Sequence, residues 1–177
     1  MKKIITLIAL AVALGVNAQA YKGKGDKKFQ VGANIQSGGT GIRVSADFGL
    51  GENISYGFTA TYLLAADDSY RLENNFFGFP VTVPDAPEFQ DRFDAKARFS
   101  ANLGSVMGLP SAVDVYPGLH VGLRNFGTHL GARYFFSDGF GVFTEAELPI
   151  AKYDKNVVGV EAYNNQFVFN IGASFGF

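Results

Sequence analysis

Eight stretches of the chain alternate apolar and polar residues with a period of two. Phe29, Val31, Ala33 and Ile35 alternate with Gln30, Gly32 and Asn34, and Ile42, Val44, Ala46, Phe48 and Leu50 with Arg43, Ser45, Asp47 and Gly49. Ile54 to Leu64 and Phe93 to Leu103 repeat the habit. In the second half, Val113 to Arg124, Thr128 to Phe136, Phe140 to Leu148 and Phe167 to Phe177 do the same. A strand sends successive side chains to opposite faces, so each stretch predicts a β-strand with one apolar and one polar face. Pro117 falls inside the fifth stretch, a poor position for a central strand.

Turn-forming clusters separate the stretches: "SGGTG", "GEN" and the hairpin signal Ser137-Asp138-Gly139. No segment after residue 20 carries a helical stripe, and 22 Gly with 18 Phe suits strands better than helices. The expectation is an all-β, eight-stranded antiparallel barrel. Alternation alone does not say which face is inside. An eight-stranded barrel has an interior just wide enough for side chains to fill. The apolar set carries Phe or Tyr on nearly every strand, too much bulk for that lumen, whereas the Gly, Ser, Asn and Thr set fits it. The apolar face is therefore expected outward, in a transmembrane barrel.

The start of the chain changes the picture of where this happens. "MKKIITLIALAVALGVNAQA" has two lysines, an apolar run from Ile4 to Val16, and small residues fit for cleavage after Ala18 or Ala20. That is the layout of a secretory signal peptide, so residues 1–20 are expected to be removed and 21–177 to form the barrel domain. Losing Lys2 and Lys3 takes the formal charge from −1 to −3, which is no footprint for nucleic acid. The chain has no cysteine, which excludes disulfides, thiolate metal sites and a lipidated cysteine. With both termini on the periplasmic side, the connections 37–41, 65–92, 125–128 and 149–162 point outward. Those around Glu52, at 104–111 and at 137–139 are the inner turns.

The signal peptide, the eight runs and the last strand "FVFNIGASFGF" together resemble the small outer-membrane barrels of the OmpA/OmpX type. The "NAQA" signal end and the Gly/Phe/Asn-rich style are similar to outer-membrane proteins of Bacteroidota, including flavobacterial families. The resemblance implies an outer-membrane protein of a Gram-negative bacterium, contacting outer-membrane lipids. It also implies that the barrel-assembly machinery reads the terminal strand through Ile171, Phe175 and Phe177. The chain departs from the pattern in having no Trp, so its interfacial belts must rest on Tyr and Phe.

The inward phase carries charges of both signs: Arg43, Lys96, Arg98, Arg124 and Arg133 against Asp47, Asp94, Asp114, Glu145 and Glu147. Lys96 and Arg98 point the same way, as do Glu145 and Glu147, and Arg98 and Glu145 fall at similar depths. Unpaired charges in a narrow lumen are costly, so mutual pairing is expected to plug the barrel. A selectivity lining for a narrow ion or solute channel is the alternative, although it would favour one sign. His120 joins the inward set. His129, placed near the outer rim, with Asp68 and Ser69 resembles the barrel-shaped lipid A palmitoyltransferases, but those need an apolar slot inside. The sequence thus points away from an enzyme, and it offers neither ligand number nor spacing for a metal or another cofactor.

Segment 65–92 is far longer than a hairpin connection. Phe76, Phe77, Phe79, Val81, Val83 and Phe89 make it too apolar for a disordered tail, and Pro80, Pro84 and Pro87 stiffen it. It is expected either to extend the flanking strands or to hold an apolar patch for a partner, such as another envelope protein.

Overall fold

A computed structural model describes residues 18–74, 78–154 and 159–177. Most of the signal segment, and Phe76 and Phe77 of the long connection, lie outside the described residues.

The strands are β1 (Lys27–Gln36), β2 (Gly39–Gly49), β3 (Ile54–Ala66), β4 (Ser69–Asn74), β5 (Pro80–Asp85), β6 (Phe93–Ala101), β7 (Val113–Gly122), β8 (Asn125–Ser137), β9 (Phe140–Lys152) and β10 (Val168–Gly176). Eight of them close an antiparallel barrel in the order β1-β10-β9-β8-β7-β6-β3-β2, while β4 and β5 form a separate two-stranded arm. A single-turn helix, α1 (Phe89–Arg92), leads back into β6, and a 3-10 turn (Gly159–Ala162) precedes β10. Closure comes from the pairing of first and last strands, from Lys28 opposite Gly176 to Gln36 opposite Val168. It leaves no free edge in the barrel.

The two faces fall as the volume argument requires. Gln30, Asn34, Arg43, Asp47, Arg98, Glu145 and Asn170 are buried in the lumen, whereas Phe29, Ile42, Phe58, Phe99, Leu130 and Ile171 are exposed on the outside. Large inward side chains find room because glycine faces them across the ladder. Tyr116 lies opposite Gly131, His129 opposite Gly118 and His120 opposite Gly127. A Cβ at Gly131 or Gly118 would fall well inside contact distance of the facing ring, so these positions exclude any side chain.

Three boundaries differ from the expected ones. The first hairpin turn narrows to residues 37–38, because β2 continues to Gly39 past a register shift at Thr40/Gly41. "NFG" at 125–127 belongs to β8 rather than to a loop. A bulge at Phe126/Gly127 carries the ladder on past Pro149 to Asn125 opposite Lys152. Pro117 sits at a break in the β6–β7 ladder, between Ser100 opposite Gly118 and the bond from the Leu103 N–H to the Val115 carbonyl, so its missing N–H falls in the gap.

Both mouths carry a small apolar lid. At the arm end Leu63 packs with Val160 and Tyr163. At the other end, where β1 begins and β10 ends, Ala18 and Ala20 pack on Phe135. Ala20 N–H donates to the Ser111 carbonyl at 2.8 Å.

Candidate functional site: a paired and capped lumen

The lumen charges come from strands that are distant in sequence, and barrel closure puts them at matching depths. Glu145 on β9 stands at the centre. It accepts from Arg43 Nη2 of β2 at 2.6 Å and, in bidentate fashion, from Arg98 of β6 at 3.1 and 2.7 Å. The depth match of Arg98 with Glu145 read from the sequence is therefore a direct contact. Such charge-assisted forks are the stronger hydrogen bonds of proteins. One layer toward the arm end, Lys96 Nζ reaches Glu147 at 2.5 Å and lies 3.5 Å from Asp94. Arg43 Nε lies 3.4 Å from Glu147, and Arg98 Nε 3.4 Å from Asp47. Arg43, Asp47, Asp94, Lys96, Arg98, Glu145 and Glu147 thus form one connected cluster.

Toward the terminal end a second cluster joins Arg133 to Asp114 at 2.8 Å and to Asn102 at 2.6 Å. Tyr116 links the two clusters: the guanidinium of Arg133 lies 4.8 Å from its ring centre and that of Arg98 5.7 Å. Lys28 and Asp26 pair at 2.9 Å near the lid. Beside them Tyr21 donates to the carbonyls of Gly51 and Ile54. Burial, helped by the Asp26 carboxylate, pushes the Tyr21 hydroxyl above its ordinary pKa and keeps it a donor.

Toward the arm end charges give way to amides. Gln36 donates to Asn34, Asn34 to Asn170, and Asn170 to Glu147, at 2.9, 3.0 and 3.0 Å. Asn164 closes the mouth. Its N–H donates to Gln36 Oε1 at 2.7 Å, its carboxamide oxygen accepts from Gln36 Nε2, and its carbonyl accepts from Asn125 Nδ2. Its φ of 59° is left-handed, which Asn tolerates better than most residues. Asn125 Nδ2 is committed to Asn164 and Asn165, so Asn125 Oδ1 accepts from His120 Nε2 at 3.2 Å.

Two expected placements need correction. Arg124 is not part of the buried cluster. It lies at the arm-end rim, 3.6 Å from Asp91 and donating to the Gln90 and Glu161 carbonyls, because β7 ends at Gly122 and leaves it in the turn. His129 is not at the rim. The extension of β8 to Asn125 carries it down into the lumen, where it bonds Ser100 at 2.9 Å and stacks on His120 with ring centres 6.1 Å apart. Ser69, its imagined rim companion, instead accepts from the Val160 N–H.

The remaining expected residues are on the outside. Ile171 and Phe175 lie on the outer face of β10, and Phe177 follows it, 77% exposed, with its N–H on the Lys27 carbonyl. In the long connection, β4 and β5 pair from Ser69 opposite Asp85 to Asn74 opposite Pro80. The arm is thus a hairpin of its own, not an extension of the barrel strands. Phe79 and Val81 are exposed on it, with Val83 half-buried. Phe89 leaves that group: it packs between Tyr62 and Phe93, with ring centres 5.6 Å from each.

Asn164, Asn125, Gln36, Asn102 and Tyr116 hold the plug together, and charge reasoning passed over them. Gln36, Asn102 and Tyr116 were in the inward phase of their strands, and that phase was the available signal. Asn164 lies in a loop, where period-two reasoning has no purchase.

Fold and lining together define a closed eight-stranded antiparallel β-barrel with an ion-paired interior and an apolar exterior. The chain belongs to DUF6646, a family of unknown function, whose sequence profile matches residues 11–177. No curated protein and no solved structure matches it significantly.

Proposed function

We propose that the protein is a non-enzymatic outer-membrane barrel of a Gram-negative bacterium, exported by its signal peptide. In this reading the lumen is plugged, and the arm-end loops serve as a scaffold or surface-contact platform for another envelope protein. The observation that carries the reading is the pairing of an apolar outer face with a lumen whose central charges are ion-paired and whose arm-end mouth is lidded by residues of the mature chain. An apolar face of this extent suits lipid, and plugging leaves the loops as the accessible surface. The non-enzymatic reading is supported by His129 and Ser69 having different partners in different places. The arm favours contact through side chains over strand addition, since Pro80 and Pro84 remove N–H donors from β5.

The test is fractionation followed by reconstitution. The mature protein should sediment with outer membranes, run faster on gels unheated than boiled, and give no steady conductance in planar bilayers. Recovery in the soluble periplasm would refute the membrane reading, and large stable current steps would promote the channel alternative. Affinity purification in mild detergent should recover a partner that is lost when Phe79 and Val81 are changed to Ser. Recovery unaffected by those changes would remove the arm from the contact surface.

A further inference from the structure

With Arg124 turned outward onto Asp91, the lumen is one cation short. Among the described residues the buried cations are Lys28, Arg43, Lys96, Arg98 and Arg133, and the buried acids are Asp26, Asp47, Asp94, Asp114, Glu145 and Glu147. One acid is left over, and the hydrogen bonds identify it. Asp26, Asp114, Glu145 and Glu147 each accept from a cation at 2.9 Å or less. Asp47 has the Nε of Arg98 at 3.4 Å and one unbonded oxygen. Asp94, 1% exposed, has both oxygens buried without a donor. Lys96 Nζ lies 3.5 Å away, beyond a hydrogen bond of normal length, and is committed to Glu147 at 2.5 Å.

The surroundings of Asp94 offer no second cation. Lys96 of its own strand, Glu147 of β9 and Arg124 of the rim are the charged groups that act on it. Arg124 is held by Asp91 and by the Gln90 and Glu161 carbonyls. From β3 it faces Thr61, its cross-strand partner, which carries no charge. Protonating His120 or His129 would restore the balance only by placing a new cation beside Lys96 or Arg98. A metal ion would need several oxygen ligands, and no group of three acidic or histidine side chains gathers for one among the described residues. A proton needs a single oxygen and no room. A buried acid without a partner takes one rather than carry an uncompensated charge.

We propose that Asp94 is a proton-binding site, which holds the surplus acid of the lumen as a neutral carboxyl group and leaves Lys96 to Glu147. On release the proton passes to water, and Asp94 becomes a second anion competing with Glu147 for the one ammonium. The plug is thereby proton-dependent. The site rests on the lumen pairing and is independent of the membrane reading.

The experiment uses the whole mature protein folded in detergent. Infrared spectroscopy at neutral pH should show a protonated-carboxyl stretch that Asp94→Asn removes. Asp94→Asn should be at least as stable as the unmodified protein, whereas Asp114→Asn, which takes the partner from Arg133, should be less stable. Asp94 keeps its proton when folded and loses it when unfolded above about pH 4. Stability of the unmodified protein relative to Asp94→Asn should therefore fall as pH rises, about tenfold in the folding constant per pH unit, until the folded carboxyl group releases its proton. Equilibrium unfolding in urea over a pH series reads this difference. Absence of the infrared band, or a difference that does not change with pH, would overturn the site. Destabilised or unfolded Asp94→Asn would overturn it too, since the amide has the shape of the acid and lacks only a carboxylate's charge. A difference set by sodium concentration at fixed pH would give the place to a metal ion and overturn the proton.

Discussion

The inner and outer faces of the same eight strands obey different rules. On β9, Glu145 and Glu147 alternate with Thr144, Ala146 and Leu148, one residue apart in sequence. The outer residues are mostly apolar and exposed, and no lumen wall limits their volume. The inner ones meet named partners: Glu145 touches Arg43 and Arg98, and Glu147 touches Lys96. Even the glycines differ by face, since Gly131 and Gly118 are required inside by the rings opposite them. Identity is specified within, polarity without.

The largest break in that contrast should come from stripping the central acids. Glu145→Gln with Glu147→Gln leaves Arg43, Arg98 and Lys96 buried without their closest partners. The expected loss is roughly 3–5 kcal/mol or more, read as a lower temperature for the gel-mobility change. Replacing both members of one pair, Arg98→Met with Glu145→Leu, should cost less than Glu145→Gln alone if charge compensation sets the penalty, although Arg43 and Asp47 still lose a neighbour. An equal loss would mean that shape matters more than charge.

The outer face is probed by Leu130→Arg, near the middle of β8. In a bilayer it should cost about 2–4 kcal/mol, whereas on a water-facing surface it should cost almost nothing. Equilibrium unfolding from lipid vesicles distinguishes the two. Gly131→Val should follow, at about 1–3 kcal/mol, because its side chain collides with Tyr116. A neutral result would show that the Tyr116 ring has another place to go.

Asn164→Ala should cost about 1 kcal/mol, since the side chain's bonds to Gln36 and to the Asp91 and Arg92 carbonyls are lost while the barrel ladder is untouched. The smallest equilibrium effect is expected from deleting Phe177, which is exposed and tied by one backbone bond. If that deletion lowers folded protein in cells while unfolding in vitro is unchanged, the residue acts in assembly. Unchanged cellular levels would make it one more outer-face aromatic.

The period-two pattern carried most of the architecture. Eight strands, their order of appearance and their inward residues follow from alternation, because in a sheet the side-chain period is a backbone property independent of what lies nearby. The direction of the apolar face followed from volume. Arg43, Asp47, Asp94, Lys96, Arg98, Asp114, His120, Arg133, Glu145 and Glu147 were legible as lumen residues for the same reason.

What alternation does not carry is where a strand stops and what a loop does. β8 runs through "NFG" because its bulge at Phe126/Gly127 keeps the ladder with β9, a pairing made by a different strand. That extension sends His129 into the lumen, and the end of β7 leaves Arg124 on the rim. The arm pairs with itself because β3 and β6 already satisfy each other from Ile54 to Tyr62. Asn164 becomes the cap because closure brings β1, β8 and the loop before β10 around one mouth. The two faces of each strand are written in its alternation. Only the closed barrel decided which charges touch, since partners such as Arg43 and Glu145, 102 residues apart, meet by register around a ring.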